Sequence, residues 1–188
     1  MIKTALETGK VVGFGEIYLR LGFAPFAREG IHTSIEDKGV KAMFNMANTY
    51  KVPVQIHLDA EYSSELEILL QNHPNVTVIL AHCGYMQPEK LGALMDRHPN
   101  LHAEVSLVFN SMIPRFANLP LVDGRMRPNW KDLLVRHADR ILVGTDYSGF
   151  RADQAPKLLA YYRQVLGLLP RKTAEKIAYR NFDRLFVK

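Results

Sequence analysis

Four ionisable residues stand where apolar runs end. Glu16 follows Val11-Val12-Gly13-Phe14-Gly15, and His57 follows Pro53-Val54-Gln55-Ile56. His82 follows Val76-Thr77-Val78-Ile79-Leu80-Ala81, and Asp146 follows Ile141-Leu142-Val143-Gly144-Thr145. A buried strand end gains nothing from an unpaired charge, which costs several kcal/mol unless it is paired or metal-bound. Two imidazoles with carboxylates suit a borderline divalent ion, zinc first and manganese as the alternative. Such an ion lowers the pKa of a bound water to about 7. A neighbouring carboxylate can take up that proton and return it to a leaving group.

These four residues share a pocket only if the elements that carry them point the same way. Short apolar runs at 11–19, 53–59, 76–83, 101–107 and 140–145 read as buried strands. Helical spacing lies between them: Val40, Met43, Phe44, Ala47 and Tyr50, then Leu66, Leu69 and Leu70, then Leu91, Leu94 and Met95. Further on come Leu133 and Leu134, then Leu158, Leu159, Tyr162 and Leu166, and a last helix that Thr173 is expected to cap. Strand–helix alternation of this kind builds a parallel sheet whose strand C-termini face one side, where ligands bind. About five strands fall short of a complete barrel, which takes about 250 residues. Periodicity alone leaves open an open doubly wound sheet or part of a barrel. No linker or repeat divides the chain, so residues 1–188 are expected to form one domain. The irregular stretch 108–128 is expected to be an active-site loop or a plain surface excursion.

Gly-Phe-Gly-Glu-Ile, Ile-His-Leu-Asp, Leu-Ala-His-Cys-Gly and Val-Gly-Thr-Asp-Tyr, in that order, resemble strands four, five, six and eight of the amidohydrolase superfamily. The nearest branch is that of the amidohydrolase-related hydrolases and decarboxylases, whose closing helix 177–186 also resembles. The resemblance implies a partial (β/α)8 TIM barrel of about five parallel strands, family strands four to eight, in a metal-dependent hydrolase. Metal-activated water would attack a C–X bond of a small molecule, with decarboxylation as the related chemistry. By the same resemblance His57 is a metal ligand, and His82 is a second ligand or a polarising group. Asp146 is a ligand and proton acceptor, and Glu16 falls where some members place a bridging group. Tyr85, Tyr147 and Arg151 would line the substrate pocket, with His32 and Asp59 as further candidates.

The family's strand-one His-x-His occurs nowhere in the chain. The expectation is therefore a truncated or split member whose activity in isolation is doubtful. The alternative is a catalytically inactive partial barrel, acting as an interaction module or as one half of a split enzyme. Unpaired sheet edges would then favour self-association or pairing with an N-terminal half. A third reading, an open flavodoxin-like sheet, makes the histidines incidental.

Other classes fit less well. The net charge of +5 invites a nucleic-acid reading, but the basic residues near the C-terminus lack interleaved stacking aromatics and read as a solvated helix face. No apolar run reaches the length of a membrane helix. The single Cys83, beside His82, is expected to be a small buried residue rather than a nucleophile, and it fits a reducing, cytoplasmic setting. For Glu16, a structural pairing with Arg20 competes with the metal reading. His73, His98, His102 and His137 are expected to be structural.

Overall fold

The structure, a computed structural model, describes residues 2–21, 31–106, 120–146 and 155–187. After a short helix α1 (Ile2–Glu7), strand β1 (Phe14–Leu21) begins the sheet and β2 (Ile31–His32) turns back antiparallel against its end. Three strand–helix units follow: helix α2 (Lys38–Tyr50), β3 (Val54–Leu58), α3 (Ser63–Asn72), β4 (Val78–Leu80), α4 (Pro88–Arg97) and β5 (Leu101–Glu104). A small hairpin, β6 (Leu121–Val122) with β7 (Arg125–Met126), leads into α5 (Pro128–Arg136) and β8 (Ile141–Leu142). The chain closes with α6 (Ala155–Gly167), α7 (Arg171–Glu175), a π-helical turn Lys176–Arg180 and α8 (Asn181–Phe186).

The main sheet runs β2-β1-β3-β4-β5-β8, parallel from β1 to β8. The five-strand expectation holds, with β2 added as a short antiparallel neighbour. The part of the irregular stretch that the structure describes forms the β6–β7 hairpin, and residues 107–119 lie outside the described residues.

The helices start where local chemistry dictates. Asp37 Oδ1 accepts from the Gly39 N–H at 2.7 Å, capping α2, and prolines open α4 and α5 where a missing N–H costs nothing. The last helical segment begins at Arg171 after Pro170, so Thr173 is a buried residue within α7 rather than its cap. Phe44, Leu66, Leu91 and Leu133 pack from the helices onto Val54, Ile56, Leu58, Val78, Leu80, Leu101 and Ala103 in one core. Each buried Val, Leu, Ile or Phe side chain among them contributes about 1.5–3 kcal/mol.

The opposite sheet face differs from what the apolar runs suggested. Gln55, Ile79 and His102 stand in register across β3, β4 and β5, and His57 and Glu104 follow two residues on along their strands. The strands thus alternate, apolar toward the helices and largely polar on the inner face. The end of the sheet is tied down by Asn181, whose amide donates to the Ala138 and Ile141 carbonyls at 2.7 Å each, and by the Val143 N–H, which donates to Ile177 at 3.2 Å.

Candidate metal centre

Glu16, His57 and His82 converge, each offering one ligand atom within 4.8 Å of the others. Glu16 Oε1 lies 2.7 Å from His57 Nδ1 and 3.3 Å from His82 Nε2. Both imidazoles are buried, and their rings meet edge to face at 4.7 Å between centroids. Glu16 reaches the centre from β1 and His57 from the inner face of β3.

His82 arrives differently. The β3–β4 register pairs Ile56 with Leu80, so continued alternation would set His82 beside Leu58, on the helix-facing side. Instead β4 stops at Leu80, and His82, Cys83, Gly84 and Tyr85 all take positive φ, between 51 and 57°. This left-handed turn re-aims the imidazole toward Glu16. Left-handed backbone costs a non-glycine residue about 1–3 kcal/mol, and such strain persists only where its surroundings hold it. Gly84 suits the turn for a second reason: a Cβ there would come within 3.0 Å of the Leu58 carbonyl oxygen.

The electrostatics follow from this packing. Burial works against ionising Glu16, but the hydrogen bond from His57 and the nearness of both imidazoles outweigh it and bring the carboxyl down to about 2. Burial likewise disfavours the His57 cation, yet Asp59 and Glu16 outweigh it and raise the imidazole to about 8. Asp59 Oδ1 sits 3.6 Å from His57 Nε2.

Around this cluster the sequence-based candidates separate. Tyr85 stacks on His82 at 5.4 Å and lies 5.7 Å from His57, so it belongs to the site. Asp146 is exposed, with φ 44°, and does not join the three-residue cluster; its charge reaches Tyr18 and Tyr85. His32 is exposed on β2. Tyr147 and Arg151 lie outside the described residues. The competing Glu16–Arg20 pairing is not formed, since Arg20 Nε binds Glu65 at 3.0 Å. Cys83 is buried with its thiol pushed well up by burial, as expected of a structural cysteine. His98 pairs with Glu67, and His137 lies 2.9 Å from Arg140, both remote from the cluster.

Sequence reasoning missed three residues. Tyr18 shares the β1 face of Glu16 and lies 5.4 Å from His57; the two-residue spacing was a readable signal. Glu104 and Ser106 form a buried hydrogen-bonded extension behind His82. Glu104 lies inside the run 101–107 rather than at its end, so the criterion that singled out the other strand ends passes over it.

Two buried imidazoles and a half-buried carboxylate, mutually within reach, match the ligand set of a catalytic zinc site. The arrangement also meets the second requirement of such sites, because Asp59 and Ser106 contact the ring nitrogens turned away from Glu16.

Among solved structures, the chain is similar to an uncharacterised TIM-barrel protein from Bordetella bronchiseptica (TM-score 0.66, 19% identity, 98% of this chain and 59% of that one). It is also similar to a dihydroorotase from Campylobacter jejuni (TM-score 0.66, 14% identity, 98% and 60%). A third is a dihydroxybenzoic acid decarboxylase from Polaromonas sp. JS666 with bound manganese and an inhibitor, 2-nitroresorcinol (TM-score 0.59, 14% identity, 98% and 63%). At these identities the likeness establishes the fold, part of a TIM barrel, and the chain spans about 60% of the length of the first two structures. No protein of curated function matches the sequence. The amidohydrolase family profile matches residues 2–187, and the chain belongs to the amidohydrolase family.

Proposed function

We propose that this chain carries the metal-binding half of the active site of a metal-dependent hydrolase acting on a small molecule. The observation that carries the reading is the convergence of Glu16, His57 and His82 on the inner face of the sheet. These three residues would hold a divalent ion, zinc by ligand chemistry and manganese as the alternative. When bound, the ion supplies a Lewis acid and makes water available as a nucleophile near neutral pH.

The chain's own residues do the rest. Glu16 and Asp59 hold the His57 ring from both sides, which sets its orientation. Asp146, four residues beyond β8 and within electrostatic reach of Tyr85, serves as the proton acceptor for the attacking water and returns the proton to the leaving group. Tyr85 presents an aromatic wall against His82 on which a planar substrate can rest. Arg151 and Tyr147 would supply charge and hydrogen bonds for an anionic substrate.

Decarboxylation on the same scaffold is the second reading, motivated by the manganese-bound decarboxylase among the similar structures. Titration of zinc and of manganese into the purified chain, with His57→Ala as control, tests the metal reading. Near-stoichiometric binding that the substitution abolishes is the expected result. Equal metal content in both proteins would reject it.

A further inference from the structure

Behind the candidate metal centre a second set of buried groups is joined end to end. His82 Nδ1 lies 2.7 Å from Ser106 Oγ, and Ser106 Oγ lies 2.6 Å from Glu104 Oε2. The same carboxyl accepts the Ser106 backbone N–H on Oε1 and the His82 backbone N–H on Oε2, the latter at 3.4 Å. His82, Ser106 and Glu104 are only 3%, 1% and 7% exposed, so water does not compete for these contacts. Gly144 makes the arrangement possible, because a Cβ there would overlap the Glu104 carboxyl.

The direction of the hydrogen bonds follows from the donors. Backbone N–H groups only donate, so Glu104 acts toward both as an acceptor. With its hydroxyl hydrogen directed at Glu104, Ser106 Oγ offers the imidazole a lone pair. The hydrogen between Ser106 and His82 then belongs to Nδ1, and the lone pair of the ring falls on Nε2, 3.3 Å from Glu16 Oε1.

We propose that Ser106 and Glu104 are positioning residues, which hold His82 in its Nδ1–H tautomer and aim the Nε2 lone pair into the Glu16–His57 cluster. Its functional meaning rests on the metal reading above, whereas the tautomer itself rests on the three donors that meet Glu104 and favour its charged form against burial, which pushes the carboxyl up. Carboxylate–hydroxyl–imidazole chains of this type set which ring nitrogen is free to ligate, and losing such a partner typically weakens metal binding 10–100-fold.

The test is ring-nitrogen NMR on the full chain carrying labelled histidine, metal-free at about pH 9, above the ordinary imidazole range. A His82→Gln spectrum assigns the signals. The expected result is hydrogen on Nδ1 in the wild type, loss of that preference in Ser106→Ala, and its return in Ser106→Thr, which keeps the hydroxyl. Zinc affinity should fall about 10–100-fold in Ser106→Ala and recover in Ser106→Thr. Hydrogen on Nε2 in the wild type, an unchanged tautomer in Ser106→Ala, or an unchanged zinc affinity there each overturns the proposal. Should the wild type bind no zinc at all, the metal reading fails, and the wild-type tautomer still decides whether Ser106 and Glu104 set the ring.

Discussion

Gly144→Ala is a one-methyl change with a calculable consequence. The new Cβ would lie 2.5 Å from Glu104 Cδ and 3.0 Å from Cγ, well inside contact distance. Glu104 cannot swing away freely, since three donors from Ser106 and His82 hold it in a site closed to solvent. Overpacking of this kind costs about 1–3 kcal/mol, and each buried donor left without an acceptor costs about 1–3 kcal/mol more. A total of about 2–4 kcal/mol is expected, measured as a shift of the urea midpoint at constant slope. The diagnostic comparison is a cycle with Glu104→Ala. Removing the carboxyl destabilises the protein by itself, but it also removes what the new methyl strikes. In that background Gly144→Ala should cost less than about 1 kcal/mol, a coupling of about 2 kcal/mol. Costs that add to within about 0.5 kcal/mol would refute the idea that Gly144 exists to house Glu104.

Other expectations are more direct. The displacement of His57 from 6.5 to about 8 is worth about 2 kcal/mol, present below pH 6.5 and lost as pH rises through about 8. Melting temperature should therefore decline over that window in the wild type, and Glu16→Gln should flatten the decline. Glu16, held at about 2, contributes stability that is complete above its ordinary 4.5 and lost as pH falls toward 2; the same substitution should remove this acid-side slope. Zinc must displace the His57 proton, so its apparent affinity should rise with pH up to about 8 and then level off, with proton release visible by calorimetry in paired buffers. Asn181→Ala removes two amide donations to buried carbonyls and should cost about 2–3 kcal/mol by denaturant titration.

The parallel arrangement was readable from the spacing of apolar runs, because buried strands and amphipathic helices impose different periods. The convergence of Glu16 and His57 was readable because a polar group ending such a run needs a partner. His82 was found by the same rule, but for an incomplete reason. Its side chain reaches the cluster through a left-handed turn that no alternation pattern announces, three of whose four residues are not glycine. Glu104 was passed over because Leu101-His102-Ala103-Glu104 reads as a simple alternating strand, and only the packing shows that its polar face is enclosed. Asp146 follows its strand by four residues, and spacing alone does not say which way a chain turns after the last paired residue.

The ties between the final helical segment and β8 bear on how this molecule meets others. The Leu142 carbonyl faces inward and accepts from Val105, so the Ile141 carbonyl and the Val143 N–H point out from that side of the sheet. Both are already engaged, the first by Asn181 and the second by Ile177. An incoming β-strand would find these two hydrogen-bonding positions taken, and docking there would first require the C-terminal helix to peel away.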